Sequence, residues 1–462
     1  MTLHVLPERR LSRLADLVDR YDGRTPRYTS YPTAVQFSPT VDEATYRGWL
    51  AALPAGEAIS LYLHIPFCAQ LCLYCGCNTR AVRRRAPIFD YVTMLIRELD
   101  LLAQALPARL PIRAIHLGGG SPNMLTPEDL DRLFGAIGGV FDVAADAEIA
   151  AELDPSALSA AWIEAAARHG LNRASLGVQN LDRAVQTAVN RQETFEQVAE
   201  AVHRLRAVGV KSINLDLMYG LPLQTTANTL ETLNAILTLA PERIALFGYA
   251  HVPWMKTHQA LIDEATLPSG LDRLDQSETA AAQLRGAGYV RIGLDHFAHA
   301  QDQMAEALKT GTLRRNFQGY TTDQATTLLG VGASSIGRLP QGFVQNATPE
   351  LAWRQAVEAG RLPVARGVEV SHEDRLVGEV IERLMCDLEV DLEAVRDRHG
   401  APSEAFDAAL TKLEPFFADG LATLSEAGVL RVIGDGRLLV RSIAAAFDRY
   451  LEANQPRHAK AI

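Results

Sequence analysis

From residue 58 onward the chain alternates short apolar-rich runs of β-forming residues with longer stretches whose apolar positions recur every three or four residues. The runs are AISLYLHI, IRAIHLGG, EIAAEL, RASLGVQ, SINLDLMYG and RIALFGYAH. Between them lie FDYVTMLIRELDLLAQAL, PEDLDRLFGAI, SALSAAWIEAAARHG, TFEQVAEAVHRLRAVG and TANTLETLNAILTL. Short apolar runs bounded by turns predict strands, and the wider spacing predicts amphipathic helices. Helix starts are marked by cap formers in TPEDL and DPSAL. Strands that alternate with helices predict an α/β fold, a parallel sheet with helices outside it. Alternation alone admits either an open doubly wound sheet or a partial (β/α)6 barrel.

The flanks follow other patterns. Residues 1–56 begin with the helical period of LSRLADLVDRY and continue as GRTPRYTSYPTAVQFSP, where prolines and aromatics alternate without a period. Tyr28, Tyr31 and Phe37 make this arm too apolar for a solvated linker. Residues 371–462 read as a mostly helical, winged-helix-like unit through HEDRLVGEVIERLM, LEAVRDRHG and FFADGLATLSEAG. It closes with a hairpin of VLRVI and RLLVRSI turned at GDGR. The expected division is an N-terminal arm (1–56), a barrel with an extension (57–370) and a C-terminal cap (371–462).

Composition narrows the setting. The chain has 462 residues, 48% hydrophobic and 22% charged, with no apolar run long enough to span a bilayer and charges near its N-terminus. Five cysteines, four of them between Cys68 and Cys77, are not a disulfide framework and belong in a reducing compartment. A cytoplasmic monomer is expected. The net charge of −10 disfavours nucleic acid and anionic membranes, and the acidic helices of the last unit carry no basic recognition stripe. A polycarboxylate ligand would be repelled too, so it would need local arginines. Arg24 with Arg27, and Arg314 with Arg315, are the candidate clusters.

The chemistry concentrates in residues 62–80, YLHIPFCAQLCLYCGCNTR. Cys68, Cys72 and Cys75 form C-x3-C-x2-C, and three thiolates on a loop after a strand can hold three irons of a [4Fe-4S] cluster and leave the fourth open. The alternative is a zinc site completed by Cys77, although structural zinc usually joins two well-separated ligand pairs. Cys386 stands alone and reads as packing.

Ligand groups in parallel α/β folds gather at strand C-termini. The second run ends in HLGGGSPNML, where Gly118, Gly119 and Gly120 would let backbone N–H groups approach a ligand, or form a plain tight turn. Glu152, Gln179, Asp216 and Ala250 are expected to end the next four strands. Their polar members suit hydroxyl and ammonium groups, while Asp154 reads as a helix cap. Arg191, in AVNRQET, falls on an expected helix, where an arginine is solvated by default. LLGVGASSIG passes for a dinucleotide fingerprint but ends in Ser335 and lacks the βαβ context, so that reading is rejected.

The cysteine spacing with Tyr74 before its last member resembles the radical S-adenosylmethionine (SAM) superfamily. The wider string YLHIPFC followed by C-x-C-N is similar to the oxygen-independent coproporphyrinogen III oxidases. So are PRYTSYPTA, WMKTHQALIDEATLP, RIGLDHFA and RRNFQGYTT. This resemblance favours the (β/α)6 barrel and implies that the open iron chelates SAM. Reductive cleavage then gives a 5'-deoxyadenosyl radical, which starts decarboxylation of two propionates of coproporphyrinogen III to vinyls, yielding protoporphyrinogen IX.

By resemblance, Tyr62, Tyr74, Gly119, Gly120, Ser121, Glu152, Gln179, Arg191, Asp216 and Ala250 contact SAM. Gln318 and Ile336 line a position for a second SAM, and the arm covers the site. An electron donor and an electron acceptor, both unidentified, are required. Cys77 and His64 are candidates for proton handling or cluster tuning, with a histidine satisfied inside its strand as the alternative for His64. Haem chaperones and radical methyltransferases share the cysteine loop, but Cys77 and RRNFQGYTT argue against both. Ser121 and Asn123 stand where the family has threonine.

Overall fold

The computed structural model describes residues 8–21, 23 and 25–451; Arg24 lies outside them. After a first helix, α1 (Glu8–Tyr21), six parallel strands stand side by side in chain order: β1 (Ile59–Ile65), β2 (Pro111–Gly119), β3 (Asp142–Leu153), β4 (Arg173–Gln179), β5 (Ser212–Tyr219) and β6 (Arg243–Gly248). The intervening helices are α2 (Ala86–Ala105), α3 (Pro127–Val140), α4 (Ala160–Arg168), α5 (Phe195–Ala207) and α6 (Thr226–Leu237). All six expected strands form. β1 is buried on both faces, every residue except Tyr62, whereas β4 alternates buried and half-buried positions, one face on the core and the other toward the open side. Thr126 caps α3 in a reciprocal capping box with Asp129. In DPSAL, however, Asp154 caps only a single turn at Pro155–Ala157, and α4 starts after Ser159.

The sheet continues beyond the six strands in both directions. Past β6, the chain forms α7 (Gly270–Gly286), β7 (Tyr289–Ile292) and β8 (His296–His299), with β8 antiparallel to β6. A hairpin, β9 (Arg314–Asn316) and β10 (Gly319–Thr321), follows. The next strand, β11 (Thr327–Val331), returns to pair parallel with the free side of β1. Antiparallel strands β12 (Ile336–Leu339), β13 (Gly342–Asn346) and β14 (Val364–Glu369) complete a twelve-stranded sheet. Glu98 of α2 locks the turn after β11 in place. Its buried carboxylate accepts from Gly332 N–H (2.9 Å), Asn346 Nδ2 (2.6 Å) and Trp353 Nε1 (2.8 Å), and burial raises it to about 7.

The C-terminal part contains α8 (His372–Asp387), β15 (Glu389–Asp391), α9 (Leu392–Arg398), α10 (Asp407–Ala418), β16 (Ala422–Leu424), β17 (Val429–Val432) and α11 (Val440–Ala445). One expectation is corrected here. RLLVRSI is helical, not a strand, because its buried Leu439, Val440 and Ile443, with Ala444 just after it, repeat at helical spacing. The hairpin is instead β16 with β17, and β16 comes from the stretch expected to be wholly helical.

The arm joins this part to the barrel. Tyr28 and Tyr31 share a core with Leu376, Val380 and Ile443. Tyr28 Oη donates to Asp448 (3.0 Å), and Arg449 N–H donates to Tyr31 Oη (2.9 Å). Arg27 Nη2 reaches the Gly248 carbonyl at the end of β6 (3.4 Å), whereas Ser38 bridges to Gly367 of β14. Residues 27–38 thus cross from one side of the sheet to the other. The β9–β10 hairpin makes the same crossing, with Tyr320 against His296 of β8 (5.3 Å) and Phe317 against Phe343 of β13 (5.9 Å). Among the described residues no helix is long and apolar enough to cross a membrane.

Candidate active site

The cysteine loop leaves the C-terminal end of β1 and is held on three sides. Short strands Phe67–Cys68 and Arg80–Ala81 pair in parallel and close it on itself. Behind it, Leu73 N–H donates to the Val189 carbonyl (2.9 Å) and Asn190 Nδ2 to the Leu71 carbonyl (2.9 Å). Over it, three side chains of one short stretch donate to loop carbonyls: Lys256 Nζ to Cys77 (3.0 Å), His258 Nε2 to Cys75 (2.8 Å) and Gln259 Nε2 to Tyr74 (3.0 Å). A carbonyl only accepts, so His258 carries its proton on Nε2. Cys68, Cys72 and Cys75 are free and half-buried, and Cys77 is free and exposed.

The donor set fits an iron–sulfur cluster. All three thiols of the motif are unbridged and share one loop. Among the described residues no three His, Cys, Asp or Glu side chains could hold a single metal ion. Separate sulfurs, each on its own iron, suit a cluster. A hydrogen bond from Cys77 is the chief cause drawing Cys75 down to about 6, whereas burial pushes Cys68 up to about 11.

Beside the loop, β2 and β3 present a connected polar group. Glu152, one residue before the end of β3, accepts from His116 Nε2 (3.1 Å) and from Gly119 N–H (3.0 Å). Burial opposes ionisation there, but these two donors carry its carboxyl below the usual range. Tyr62 stacks on His116 (5.8 Å between centroids) and donates to His64 Nδ1 (3.1 Å). His64 Nε2 donates to the Asn78 carbonyl (2.9 Å), so both ring nitrogens are spent inside the wall.

The glycine turn requires a correction. Gly119 N–H is bonded to Glu152, Gly120 N–H to the Ile65 carbonyl (2.8 Å) and Ser121 N–H to the Phe67 carbonyl (2.7 Å). These donors are therefore not available to a ligand. Close packing is what demands glycine: a Cβ at Gly119, where φ is +108°, would lie 2.5 Å from the His64 ring, and one at Gly120 would lie 2.6 Å from the Phe67 carbonyl.

Arg191 is not on a helix and not solvated. It lies in the loop after the short helix Arg183–Ala188, with its guanidinium bonded to the Gly177 carbonyl and near Asp154 (3.5 Å) and Glu193 (3.4 Å). Its Nη1 points at the Cys72 sulfur (3.7 Å), which places a fixed cation against the cysteine loop. Gln179 ends β4 in a left-handed conformation (φ +67°), with its amide near the same guanidinium. That conformation is uncommon for a residue with a side chain.

Asp216 sits within β5, three residues before its end, and accepts from Ser175 (2.9 Å) and Asn214 (2.6 Å). Burial outweighs these bonds and pushes it up to about 6. Ala250 lies two residues past β6, not at its end.

The remaining candidates fall elsewhere. Gln318 occupies the β9–β10 turn, its N–H bonded to Asn316 (2.9 Å), and Ile336 opens β12, two strands from Tyr62. Arg314 is committed to Glu382 (2.9 Å). Arg315 is buried over the Tyr320 ring (4.4 Å) and donates to the Arg27 carbonyl (3.3 Å), and among the described residues its Nε and Nη1 have no hydrogen-bond partner. Nearby, His296 is bonded to Asp295 (2.7 Å); against the cost of burial, His296, Arg315 and Arg27 hold Asp295 down at about 2.

Sequence reasoning missed His116, Glu193, Asp295 and the Lys256–Gln259 clamp. The clamp lay inside a string already singled out, but no spacing says which loop a distant residue covers.

Comparison with known proteins agrees with this geometry. Residues 62–236 match the Radical SAM superfamily model, and residues 370–439 match the HemN C-terminal domain model. The chain is 49% identical to the oxygen-independent coproporphyrinogen III oxidase of Bradyrhizobium diazoefficiens over 97% of its own length and 100% of that protein. It is 43% identical to the corresponding protein of Cereibacter sphaeroides, covering 96% and 97% of the two chains. Among solved structures it matches coproporphyrinogen III oxidase from Escherichia coli, a radical SAM enzyme, with a TM-score of 0.88 and 35% identity over 93% of this chain and 100% of that one.

Proposed function

The chain belongs to the oxygen-independent coproporphyrinogen III oxidases of the radical SAM superfamily, and from that membership we propose how its residues divide the work. The reaction is the oxidative decarboxylation of two propionates of coproporphyrinogen III to vinyls, giving protoporphyrinogen IX without oxygen. When bound, the cluster supplies the electron that cleaves SAM to methionine and a 5'-deoxyadenosyl radical. Cys68, Cys72 and Cys75 hold that cluster. The cysteine loop carries this reading: three free thiols on one loop, clamped from three directions at a strand C-terminus.

The surrounding residues orient SAM and exclude water. Glu152, kept anionic by His116 and Gly119, offers a charge for an ammonium group, and Asp216 and Gln179 offer acceptors for hydroxyls. Ser121 lies beside Cys68 through its side chain, and Tyr62, Tyr74, Gly119, Gly120 and Ala250 shape the wall. Arg191 sets a positive field at Cys72, which favours a bound carboxylate. With both nitrogens of His64 bonded, its role is to hold Tyr62, not to move protons. Cys77 bonds to Cys75 and tunes the loop. Gln318 and Ile336, across the mouth, line a second SAM position. Above them the arm and hairpin form a roof that shields the radical from solvent hydrogen donors. Arg315, not Arg314, is the candidate for a substrate carboxylate, since Arg314 already has its partner.

The test is anaerobic turnover of cluster-reconstituted protein with a low-potential reductant, SAM, coproporphyrinogen III and cell extract as electron acceptor. Protoporphyrin together with 5'-deoxyadenosine is expected. Deoxyadenosine alone would overturn the substrate, and neither product from a cluster-loaded sample would overturn the reaction.

A further inference from the structure

The proposed reaction needs an electron from outside the chain, and the surface bordering the cysteine loop has a feature that the reaction chemistry leaves unused. The protein carries a net charge of −10, yet between Cys77 and Phe89 the sequence has four arginines and no acidic residue. The fold ties this run to the cluster ligands. Cys68 pairs with Ala81, and Val82 N–H donates to the Cys68 carbonyl (3.0 Å), so Arg83 and Arg84 follow within two residues of a direct bond to a ligand-bearing residue.

Two of the four arginines are committed, Arg80 to Glu350 (2.9 Å) and Arg85 to Asp129. Arg83 and Arg84 are exposed and, among the described residues, form no ion pair or side-chain hydrogen bond. A few residues on, Phe89 stands 48% exposed on the first turns of α2, with the Arg132 guanidinium over its ring at 4.4 Å. Unpaired cations beside an exposed aromatic anchor have the composition of an interface centre more than that of a solvated face.

We propose that Arg83 and Arg84, with Phe89 and Arg132, dock a small acidic one-electron carrier protein that reduces the cluster. This rests on the function proposed above. The global field of the chain repels an acidic partner, so a local basic patch both admits it and fixes its orientation, bringing its redox group to the side of the loop that bears Cys68. Four arginines on a chain this acidic are a poor platform for nucleic acid. At this surface one electron passes from carrier to cluster: the carrier is oxidised by one electron, the cluster is reduced by one, and no atom is transferred.

The experiment compares wild type with the Arg83→Glu/Arg84→Glu double variant under two reductants. One is dithionite; the other is an acidic flavodoxin kept reduced by its NADPH-dependent reductase. Iron content, cluster absorbance and 5'-deoxyadenosine formation are followed throughout. The double variant should keep its iron and its dithionite-driven rate, while its flavodoxin-driven kcat/KM falls about tenfold or more and loses much of its salt dependence. The Arg83→Lys/Arg84→Lys variant should restore most of that loss. An unchanged flavodoxin-driven rate, or an equal loss under both reductants, would overturn the docking surface. Failure of the cluster-loaded wild type with dithionite would instead overturn the function proposed above.

Discussion

In the wall that carries the cysteine loop, many contacts join neighbouring elements, such as Tyr62 to His64, Gly119 to Glu152 across adjacent strands and Arg191 to Glu193, beside the long-range clamp of Lys256, His258 and Gln259 on the loop itself. In the roof over the mouth, they join residues hundreds of positions apart, as Tyr28 does with Asp448 and Arg27 with Gly248. The wall rests on the continuous core of a parallel sheet, whereas the roof exists only where the arm, the β9–β10 hairpin and the C-terminal helices meet. The two regions are thus expected to fail differently. Damage to the wall removes radical generation; damage to the roof leaves radical generation and loses its coupling to substrate.

The largest effect is expected from Cys72→Ala, which should leave the protein folded but without a stable cluster, taking SAM cleavage and porphyrin product to background together. Iron analysis and the visible spectrum check this. A variant that kept its iron would break the assignment of the wall. Glu152→Gln should come next, lowering both SAM cleavage and product by about 10- to 100-fold, the range for losing a charge-assisted partner. Loss of product alone would move Glu152 to the substrate side.

A third prediction concerns stability. The Glu98 carboxyl rises from its ordinary 4.5 to about 7 in the folded protein. Between those values the folded state holds a proton that the unfolded chain has released, so stability falls as pH rises through the window, by up to on the order of 3 kcal/mol. Urea midpoints of wild type should drop from pH 5 to pH 8, and those of Glu98→Gln should change far less. Parallel slopes would contradict it. The smallest effect is expected of Tyr28→Phe, which loses one buried hydrogen bond at about 1 kcal/mol and should leave SAM cleavage intact. A matching loss of cleavage would show that wall and roof are not separate.

The same contrast explains what could be read from sequence. The six parallel strands were legible because short apolar-rich runs alternate with helical periods, and the cysteine loop because its motif is local. Arg191 could be placed near the site only by resemblance, because AVNRQET reads as helix, whereas the left-handed Asn190 precedes it in a loop. The glycine turn was marked as a place for backbone approach to a ligand, whereas its demand for glycine comes from His64 and Phe67 on other elements. RLLVRSI carried helical spacing that its β-branched residues disguised. The roof was the least legible region: Tyr28, Tyr31 and Phe37 signalled burial, but nothing in their spacing named Asp448, Ile443 or Phe343 as partners.

The separation of wall from roof is tested most directly by counting 5'-deoxyadenosine formed per vinyl group in wild type and in Phe37→Ala, which removes the arm's ring from its packing against Phe317 (6.4 Å) and Phe343 (6.0 Å). Wild type should stay near one deoxyadenosine per vinyl, while the variant keeps its cluster and its rate of SAM cleavage but spends several deoxyadenosines per vinyl. A variant in which cleavage and product fall together, with the ratio unchanged, would contradict a wall that generates the radical independently of the roof.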